Sequence, residues 1–561
     1  MQRRIIFILL FHFFTTDAQT YHSPLKIPLR LAGNFCEVRS DHFHSGIDIK
    51  TDGHEGMAVF AVDDGYISRV KISADGFGKV IYITHPGNRL TVYAHLHSFT
   101  GSFADSIETM QYKKKSFEVE WFPDSILFPV RKGQQIAWSG NSGGSESPHL
   151  HFEIRDAHSE EPLNPLLNGF FIADSIKPVI EKIALYEFSN GRFIYDNDYP
   201  LRTSEQKTDR DTFVVNYDTV SMSFMAHDEM NDSLPSECGI YSLILLNNYD
   251  TVYHYAFNKM SFSETRNVNG YIDVLHQRNK KETLLRCFTL PGSKFNAFKN
   301  SGKGYIVLKD SATATLKLIV ADANGNRVEK SFFITRVSTN KKSPGQKDAN
   351  IVAYPNKEII VKWQDAGIFI PADAFFESTS GVDFNLKHIK SNKPVMKIEP
   401  SGLSLSKKMS INFKPSKVYR SILDKLVIVE LTDKGKFLRS LATKNNKRMI
   451  TAYTWLFGKY SFVIDTISPV FSDLTLRTDS IFNEKWLEVK IKDGLSGISA
   501  YSGKINNEWK LFEYDRKNET LAYKLKPGEM KFDLQLEATD QKGNKGIFSK
   551  AVEITDENFI K

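Results

Sequence analysis

The segment that decides the fold of the N-terminal region is Ser147-Pro148-His149-Leu150-His151-Phe152-Glu153-Ile154. Polar His149, His151 and Glu153 alternate with apolar residues, and this period of two predicts a β-strand. In a strand, residues i and i+2 point to the same face with their Cα atoms about 7 Å apart, whereas in a helix they diverge by about 200°. We therefore expect two imidazoles on one face, where one can bind a metal ion while the other reaches a group beside it.

A second segment, His42-Phe43-His44-Ser45-Gly46-Ile47-Asp48, offers a carboxylate four residues after an imidazole. On a straight strand these two side chains lie about 13 Å apart, too far for ligands that bind zinc at about 2.0–2.2 Å. Gly46 and its β-branched neighbours disfavour a helix. We therefore expect a bend at Ser45-Gly46 that folds Asp48 back toward His44. Two imidazoles and one carboxylate then leave one zinc position open, as in catalytic sites.

A third segment, Tyr93-Ala94-His95-Leu96-His97, adds two further histidines. Spacing alone does not decide between His42 and His44, or between His95 and His97, as members of the site. The segment Gly140-Asn141-Ser142-Gly143-Gly144-Ser145 precedes the predicted strand of His149. Its composition predicts a tight loop that lets the backbone of a substrate approach closely.

Together these segments resemble the LytM/lysostaphin family of zinc metallopeptidases. The family pattern is His-x-x-x-Asp, then Tyr-x-His-Leu, then a glycine-serine loop leading into Pro-His-Leu-His-Phe-Glu, and the chain has each element in this order. Arg39, Gly46, Gly65 and Asn164-Pro165 also fit the family. The resemblance covers residues 30–170, roughly a quarter of the chain.

The resemblance implies Zn²⁺ as the cofactor, with His44, Asp48 and His151 as its ligands. It implies that His95 and His149 are unligated catalytic histidines beside the metal, while His42 and His97 take flanking positions. We favour His149 as the general base and His95 as the group that stabilises the oxyanion, although the two roles are exchangeable at this stage.

The rest of the chain is predicted to form stacked β modules, because short alternating segments are separated by Asp/Asn/Gly turns. Two modules resemble each other through three landmarks in the same order, namely Asp174–Val179 with Asp465–Val470, Cys238–Ile240 with Ser496–Ile498, and Asp322–Asn326 with Asp540–Asn544. The predicted fold class is mainly β, with an N-terminal β-sheet metallopeptidase domain followed by three Ig-like β-sandwich modules. The predicted boundaries are 24–172, 173–337, 350–462 and 463–561, with a polar linker at 338–349.

The N-terminus has the layout of a secretory signal peptide over residues 1–18. Arg3 and Arg4 precede an apolar run from Ile5 to Phe14, which is about half the ~20 residues that a membrane span needs. We therefore expect export to the periplasm or cell envelope, with no membrane span after cleavage. An exported protein can form disulfides. Cys238 and Cys287 fall in one predicted β module and could pair, which would leave Cys36 free.

Composition narrows the function further. The net charge is +7 with Lys and Arg spread along the chain, so no basic block suggests a nucleic acid partner. The resemblance implies an endopeptidase that cuts the peptide stems or cross-bridges of peptidoglycan, and the β modules could contact other cell-envelope proteins. The alternative is a catalytically silent member of the family that recruits or activates other cell-wall hydrolases. The complete set of candidate ligands favours the enzyme.

Overall fold

A computed structural model describes residues 21–189, 192–201, 211–230, 236–295, 302–337, 352–389, 393–446 and 448–554. The predicted signal peptide at 1–18 and the predicted linker at 338–349 lie outside the described residues. The described chain consists mainly of β-strands, as expected from its sequence. Among the described residues, no helix has both the length and the apolar character needed to cross a membrane.

The N-terminal domain contains a nine-stranded sheet of order β1-β2-β11-β6-β5-β4-β8, with β12 paired to β11 and β9 paired to β4, and a three-stranded sheet of order β3-β10-β7. Its strands are β1 Leu31–Gly33, β2 Ile47–Lys50, β3 Ala58–Phe60, β4 Gly65–Ile72, β5 Lys79–His85, β6 Arg89–Ala94, β7 Leu96–Phe99, β8 Val119–Trp121, β9 Pro129–Val130, β10 Gln135–Ser139, β11 His149–Asp156 and β12 Pro162–Leu163. The strand predicted from the alternating histidine segment is β11, and it lies between β2 and β6.

One helix in this domain was not predicted. Helix α1, Gly101–Lys114, lies in the stretch that the sequence suggested was β-rich. Its buried residues Phe103, Ile107 and Gln111 are spaced by four, which is the period of a helix face. The stripe is narrow and one of its three members is polar, so the helical period is weak in the sequence.

The second module, β13–β23, forms a six-stranded and a five-stranded sheet. Its strands are β13 Val179–Ser189, β14 Arg192–Pro200, β15 Asp211–Val215, β16 Thr219–Glu229, β17 Glu237–Cys238, β18 Ser242–Asn247, β19 Asp250–Ala256, β20 Leu285–Arg286, β21 Ile306–Val307, β22 Thr313–Ala321 and β23 Arg327–Arg336. Two short helices, α2 Val268–Tyr271 and α3 Val274–Lys280, lie between β19 and β20. Residues from both sheets share one hydrophobic core, so the module is sandwich-like.

The third module, β24–β35, has two five-stranded sheets and a two-stranded one, and the fourth module, β36–β43, has two four-stranded sheets. The third comprises β24 Val352–Ala353, β25 Ile359–Lys362, β26 Ala366–Ile370, β27 Thr379–Ser380, β28 Asp383–Ile389, β29 Lys393–Glu399, β30 Ser404–Phe413, β31 Leu426–Leu431, β32 Phe437–Ser440, β33 Thr443–Asn446, β34 Met449–Leu456 and β35 Lys459–Ile464. The fourth comprises β36 Val470–Asp479, β37 Glu484–Lys492, β38 Ile498–Ile505, β39 Glu508–Lys510, β40 Glu513–Asp515, β41 Thr520–Lys524, β42 Lys531–Asp540 and β43 Lys545–Glu553.

The N-terminal domain packs against both the second and the fourth modules. Phe43 belongs to the core of the second module and stacks on Phe295 at a centroid distance of 4.8 Å. On another side of the domain, the ring of His97 stacks on Phe482 of the fourth module at 4.5 Å. These contacts hold two segments that carry histidines against separate modules.

The three cysteines are buried and unpaired. A disulfide between Cys238 and Cys287, which the sequence allowed, is therefore not formed. Burial raises the pKa of Cys36 and Cys287 well above the usual range of a thiol, as expected for a thiol that behaves as a small apolar side chain.

Candidate metal centre

Three donor atoms meet where β2 pairs with β11, with Asp48 opposite His151 in the antiparallel register. Asp48 Oδ1 lies 3.1 Å from His44 Nε2 and 2.9 Å from His151 Nδ1, and the two nitrogens are 3.1 Å apart. Ligand atoms on a tetrahedral zinc ion are about 3.3 Å apart when the bonds are ~2.0–2.1 Å. Two imidazoles and one carboxylate at these distances therefore fit zinc with only a small expansion.

The bend expected at Ser45-Gly46 is present, and β2 begins directly after it at Ile47. A Cβ atom on Gly46 would lie 2.3 Å from the carbonyl oxygen of Phe152. Only glycine therefore lets this segment approach β11 closely enough to bring His44 and Asp48 beside His151.

Hydrogen bonds fix the orientation of the first two donors. His44 Nδ1 lies 2.8 Å from the carbonyl oxygen of Asn34 and donates to it, so Nε2 is left to face the centre. Arg39 donates to Asp48 Oδ2 at 2.8 Å, which leaves Oδ1 toward the imidazoles. Burial opposes ionisation of Asp48, but its imidazole neighbours, His44 above all, hold its pKa well below the usual range. Asp48 is therefore an anion ready to bind a cation.

His151 is held from its far side by a buried ion pair. Glu153 Oε1 lies 2.9 Å from His151 Nε2 and accepts a hydrogen bond of 2.6 Å from the Ser45 hydroxyl, while its other oxygen pairs with Arg155. A carboxylate on the second nitrogen orients a metal-binding imidazole and makes it a stronger donor. Burial acts against the charged imidazole, but Asp48 and Glu153 outweigh it and raise the pKa of His151 to about 9.

His95 and His149 lie beside the three donors. Their ring centroids are 4.9 Å apart, and His149 Nε2 is 3.3 Å from Asp48 Oδ1. His95 Nδ1 donates to the carbonyl oxygen of Ser142 at 2.9 Å, and His149 Nδ1 donates to that of Ser147 at 2.8 Å. In the neutral form of each ring the proton is thereby on Nδ1, and Nε2 is the nitrogen that can accept another proton.

The backbone aims His95 into the site. His95 lies between β6 and β7 with a φ of 58°, a left-handed conformation that is uncommon for residues other than glycine and is concentrated at functional sites. Burial, followed by the neighbouring His151 and His149, lowers the pKa of His95 to about 3. The ring is therefore neutral at neutral pH.

The two competing histidines are not part of this cluster. His42 is exposed and contacts Asp41, and His97 faces Glu55 at 3.3 Å and stacks on Phe482 of the fourth module. Among the described residues, the donor atoms that come together at this place belong to His44, Asp48 and His151.

The glycine-serine loop lies next to the cluster and is braced from two sides. The carbonyl oxygen of Ser142 holds His95, and the Ser142 hydroxyl accepts from the amide of Lys79 at 3.0 Å. Lys517 of the fourth module donates to the carbonyl oxygens of Asn141 and Ser145. The fourth module therefore contributes to the wall of the site, which nothing in the local sequence indicated.

The sequence motifs did not predict a role for the carboxylate of Glu153, for Arg155 or for the carbonyl of Asn34. A local signal existed for Glu153, because it follows His151 by two and so shares its strand face. No comparable signal marks a main-chain carbonyl, since its position depends on the path of β1 and the turn that follows it.

Residues 42–112 match the family model described as peptidase family M23. This part of the chain belongs to peptidase family M23. The match includes His44, Asp48 and His95, whereas His149 and His151 follow the matched segment. The LytM/lysostaphin resemblance of the N-terminal quarter is thereby confirmed.

The M23 region is similar to three curated proteins. It is 31% identical over 127 residues to an uncharacterized metalloprotease of Haemophilus influenzae, covering 22% of each chain. It is 30% identical over 123 residues to the DD-carboxypeptidase/endopeptidase Mpg of Neisseria meningitidis, again covering 22% of each chain. It is 32% identical over 127 residues to the murein hydrolase activator NlpD of Escherichia coli, covering 23% of this chain and 26% of that protein.

These similarities span about a quarter or less of the length of the curated relatives. Among solved structures, the catalytic domain of the antimicrobial peptidase lysostaphin from Staphylococcus simulans is 24% identical with a TM-score of 0.18, covering 24% of this chain and 86% of that one. The relatives therefore bear on the M23 region and not on the three β modules.

Proposed function

We propose that this chain is an exported zinc endopeptidase that hydrolyses peptide bonds in the stems or cross-bridges of bacterial peptidoglycan. The observation that carries the proposal is the complete donor set, in which three atoms lie 2.9–3.1 Å apart with two further imidazoles beside them. The similarity to Mpg supports the substrate class. The signal-peptide pattern at 1–18 supports export to the periplasm.

His44, Asp48 and His151 are the proposed ligands, through Nε2, Oδ1 and Nδ1. Zinc in such a site supplies polarisation of the scissile carbonyl and activation of a water molecule. The chain's own contribution is to deprotonate that water and to stabilise the charge that develops on the carbonyl oxygen.

His149 is the proposed general base, acting through Nε2. Its Nδ1 proton is held by the carbonyl oxygen of Ser147, so Nε2 is free to accept a proton beside Asp48. His95 is the proposed oxyanion-stabilising residue. Its ring is neutral with the proton on Nδ1, so it donates from Nε2 only after taking up a second proton, and the negative charge that develops beside it favours that uptake.

The test is digestion of purified muropeptides by the full chain, with and without a chelator, with the products read by mass spectrometry. We expect cleavage that is lost with chelator and restored by zinc. His151→Ala should lose bound zinc and activity, whereas His149→Ala should lose activity and retain zinc. His42→Ala is the matched control, because His42 is exposed and should keep both. Wild-type turnover by His149→Ala would contradict its assignment as the base.

A second candidate function is activation of other cell-wall hydrolases, which the similarity to NlpD favours. The same protein preparation can distinguish the activator from the endopeptidase. Zinc-loaded chain that leaves every muropeptide intact, and that accelerates a separate wall hydrolase in a mixed assay, would support the activator and exclude the endopeptidase.

A further inference from the structure

Two clusters of three aspartates occupy equivalent places in the second and fourth modules. The second module has Asp174, Asp228 and Asp322, and the fourth has Asp465, Asp493 and Asp540; in each cluster, one carboxylate oxygen per residue lies within 4.8 Å of the other two. The first aspartate of each cluster precedes the first strand of its module. The second lies at the end of the strand that pairs with that first strand, with Asp228 near the end of β16 and Asp493 directly after β37. The third lies at the end of a later strand, with Asp322 directly after β22 and Asp540 as the last residue of β42.

The hydrogen bonds of one asparagine are the same in the two clusters. In the second module, Asn326 Nδ2 donates to the Asp322 carboxylate at 2.7 Å and to the Asp174 carbonyl at 3.2 Å. In the fourth module, Asn544 Nδ2 donates to the Asp540 carboxylate at 2.7 Å and to the Asp465 carbonyl at 3.1 Å.

Each cluster contains a buried carboxylate with an unsatisfied oxygen. Asp228 and Asp465 are each 1% exposed, and Oδ1 of each has no hydrogen-bond partner among the described residues. Burial and then the negative charges of Asp322 and Asp174 raise the pKa of Asp228 to about 8. A buried carboxylate oxygen that has no hydrogen-bond partner and lies near other carboxylates is costly, and a bound cation would remove that cost.

The fourth-module cluster has a lysine within electrostatic reach, Lys542, which Asp465 and Asp540 attract. Its ammonium group, however, donates to the carbonyl of Thr443 in the third module at 3.3 Å. The lysine therefore leaves the unsatisfied oxygen of Asp465 unpartnered.

We propose that each aspartate cluster binds one Ca²⁺ ion. Three carboxylates are the hard oxygen donors that calcium takes at 2.3–2.6 Å. Mg²⁺ keeps several of its waters and is usually bound through one or two carboxylates, whereas Ca²⁺ takes more protein oxygens in a flexible geometry. Three carboxylates in one cluster therefore favour Ca²⁺.

The positions of the clusters indicate what the bound ions do. Asp174 lies just before the second module, where Asn324 also donates to the carbonyl of Ile172 at 2.7 Å. Asp465 directly follows the third module, and Lys425 of that module donates to Asn544 at 2.6 Å. Each ion therefore ties the segment that leads into a module to two of the module's inner strands, which stiffens the junction with the preceding module.

The first test is calorimetric titration of the full chain with Ca²⁺, after chelator treatment and reloading with one equivalent of zinc. We expect two equivalents of Ca²⁺, with dissociation constants in the range of roughly 10⁻⁴–10⁻³ M typical of extracellular modules. Asp228→Asn and Asp540→Asn should each remove one equivalent, and the double variant should remove both. Asp250→Asn, at an exposed position of β19, is the control and should keep two.

A measurement on the unmodified chain guards against variants that misfold. Amide exchange followed by mass spectrometry should show slower exchange of residues 174–179 and 465–470 with Ca²⁺ than with the same concentration of Mg²⁺. No uptake of Ca²⁺ at about 10 mM, equal protection by Mg²⁺, or two equivalents retained by the double variant would each overturn the proposal. Zinc content and muropeptide cleavage are read separately, so failure here is distinguishable from failure of the proposed peptidase.

Discussion

Replacing Glu153 by Gln tests how the fold holds the proposed ligand His151. Glu153 is fully buried and contacts His151, the Ser45 hydroxyl and Arg155. The amide keeps the size of the side chain but removes its charge. Among the described residues, it leaves Arg155 with the more distant Glu160, at 3.7 Å, as its remaining counterion.

The structure sets two magnitudes for this change. Burial acts to raise the pKa of Glu153, but Arg155 first and then His151 outweigh it and lower the pKa from 4.5 to about 2, which corresponds to about 3 kcal/mol at ~1.4 kcal/mol per unit. Because the folded-state pKa is depressed, this stabilisation is present above about pH 4.5 and is lost as the pH falls toward 2. Removing a carboxylate that is hydrogen-bonded to a metal ligand also weakens metal binding by roughly 10–100-fold.

The assay is a zinc competition titration at pH 7, combined with native-state amide exchange of β11. We expect Glu153→Gln to bind zinc at least about tenfold more weakly and to exchange its β11 amides faster. Glu120→Gln is the matched control, because Glu120 pairs with Arg69 at the surface of the same domain and such pairs contribute about 1 kcal/mol or less. Unchanged zinc affinity together with unchanged β11 protection in Glu153→Gln would refute the reasoning.

Three further predictions concern the same region. Because the pKa of His151 in the metal-free protein is about 9, zinc binding at pH 7 should release about one proton. Calorimetry in two buffers measures this release, which should vanish above pH 9. Gly46→Ala should lose zinc and cleavage because its Cβ would collide with β11, while Gly494→Ala, which has open space around it, should retain both. Lys517→Met should speed amide exchange across residues 140–145 at unchanged zinc content, and equal exchange would show that the fourth module does not brace that loop.

Much of the fold follows from local sequence. The alternation of β11 places His149 and His151 on one strand face, and the mainly β character of the modules follows from short strands between Asp/Asn/Gly turns. Helix α1 was missed because its buried stripe consists of only three residues, one of which is the polar Gln111. Disulfide pairing was left open by the sequence, since it depends on how Cys238 and Cys287 are packed.

The sequence by itself determined the set of candidate groups. The strand period and Gly46 are local properties, so they place two imidazoles on one strand and a carboxylate next to a bend. The tertiary structure decided which groups meet. The pairing of β2 with β11, the Glu153–Arg155 pair behind His151 and the packing of Phe482 on His97 join residues distant in the chain, and burial sets their charges. Distance and desolvation are properties of the folded chain, which is why spacing alone left His42 and His97 as competitors.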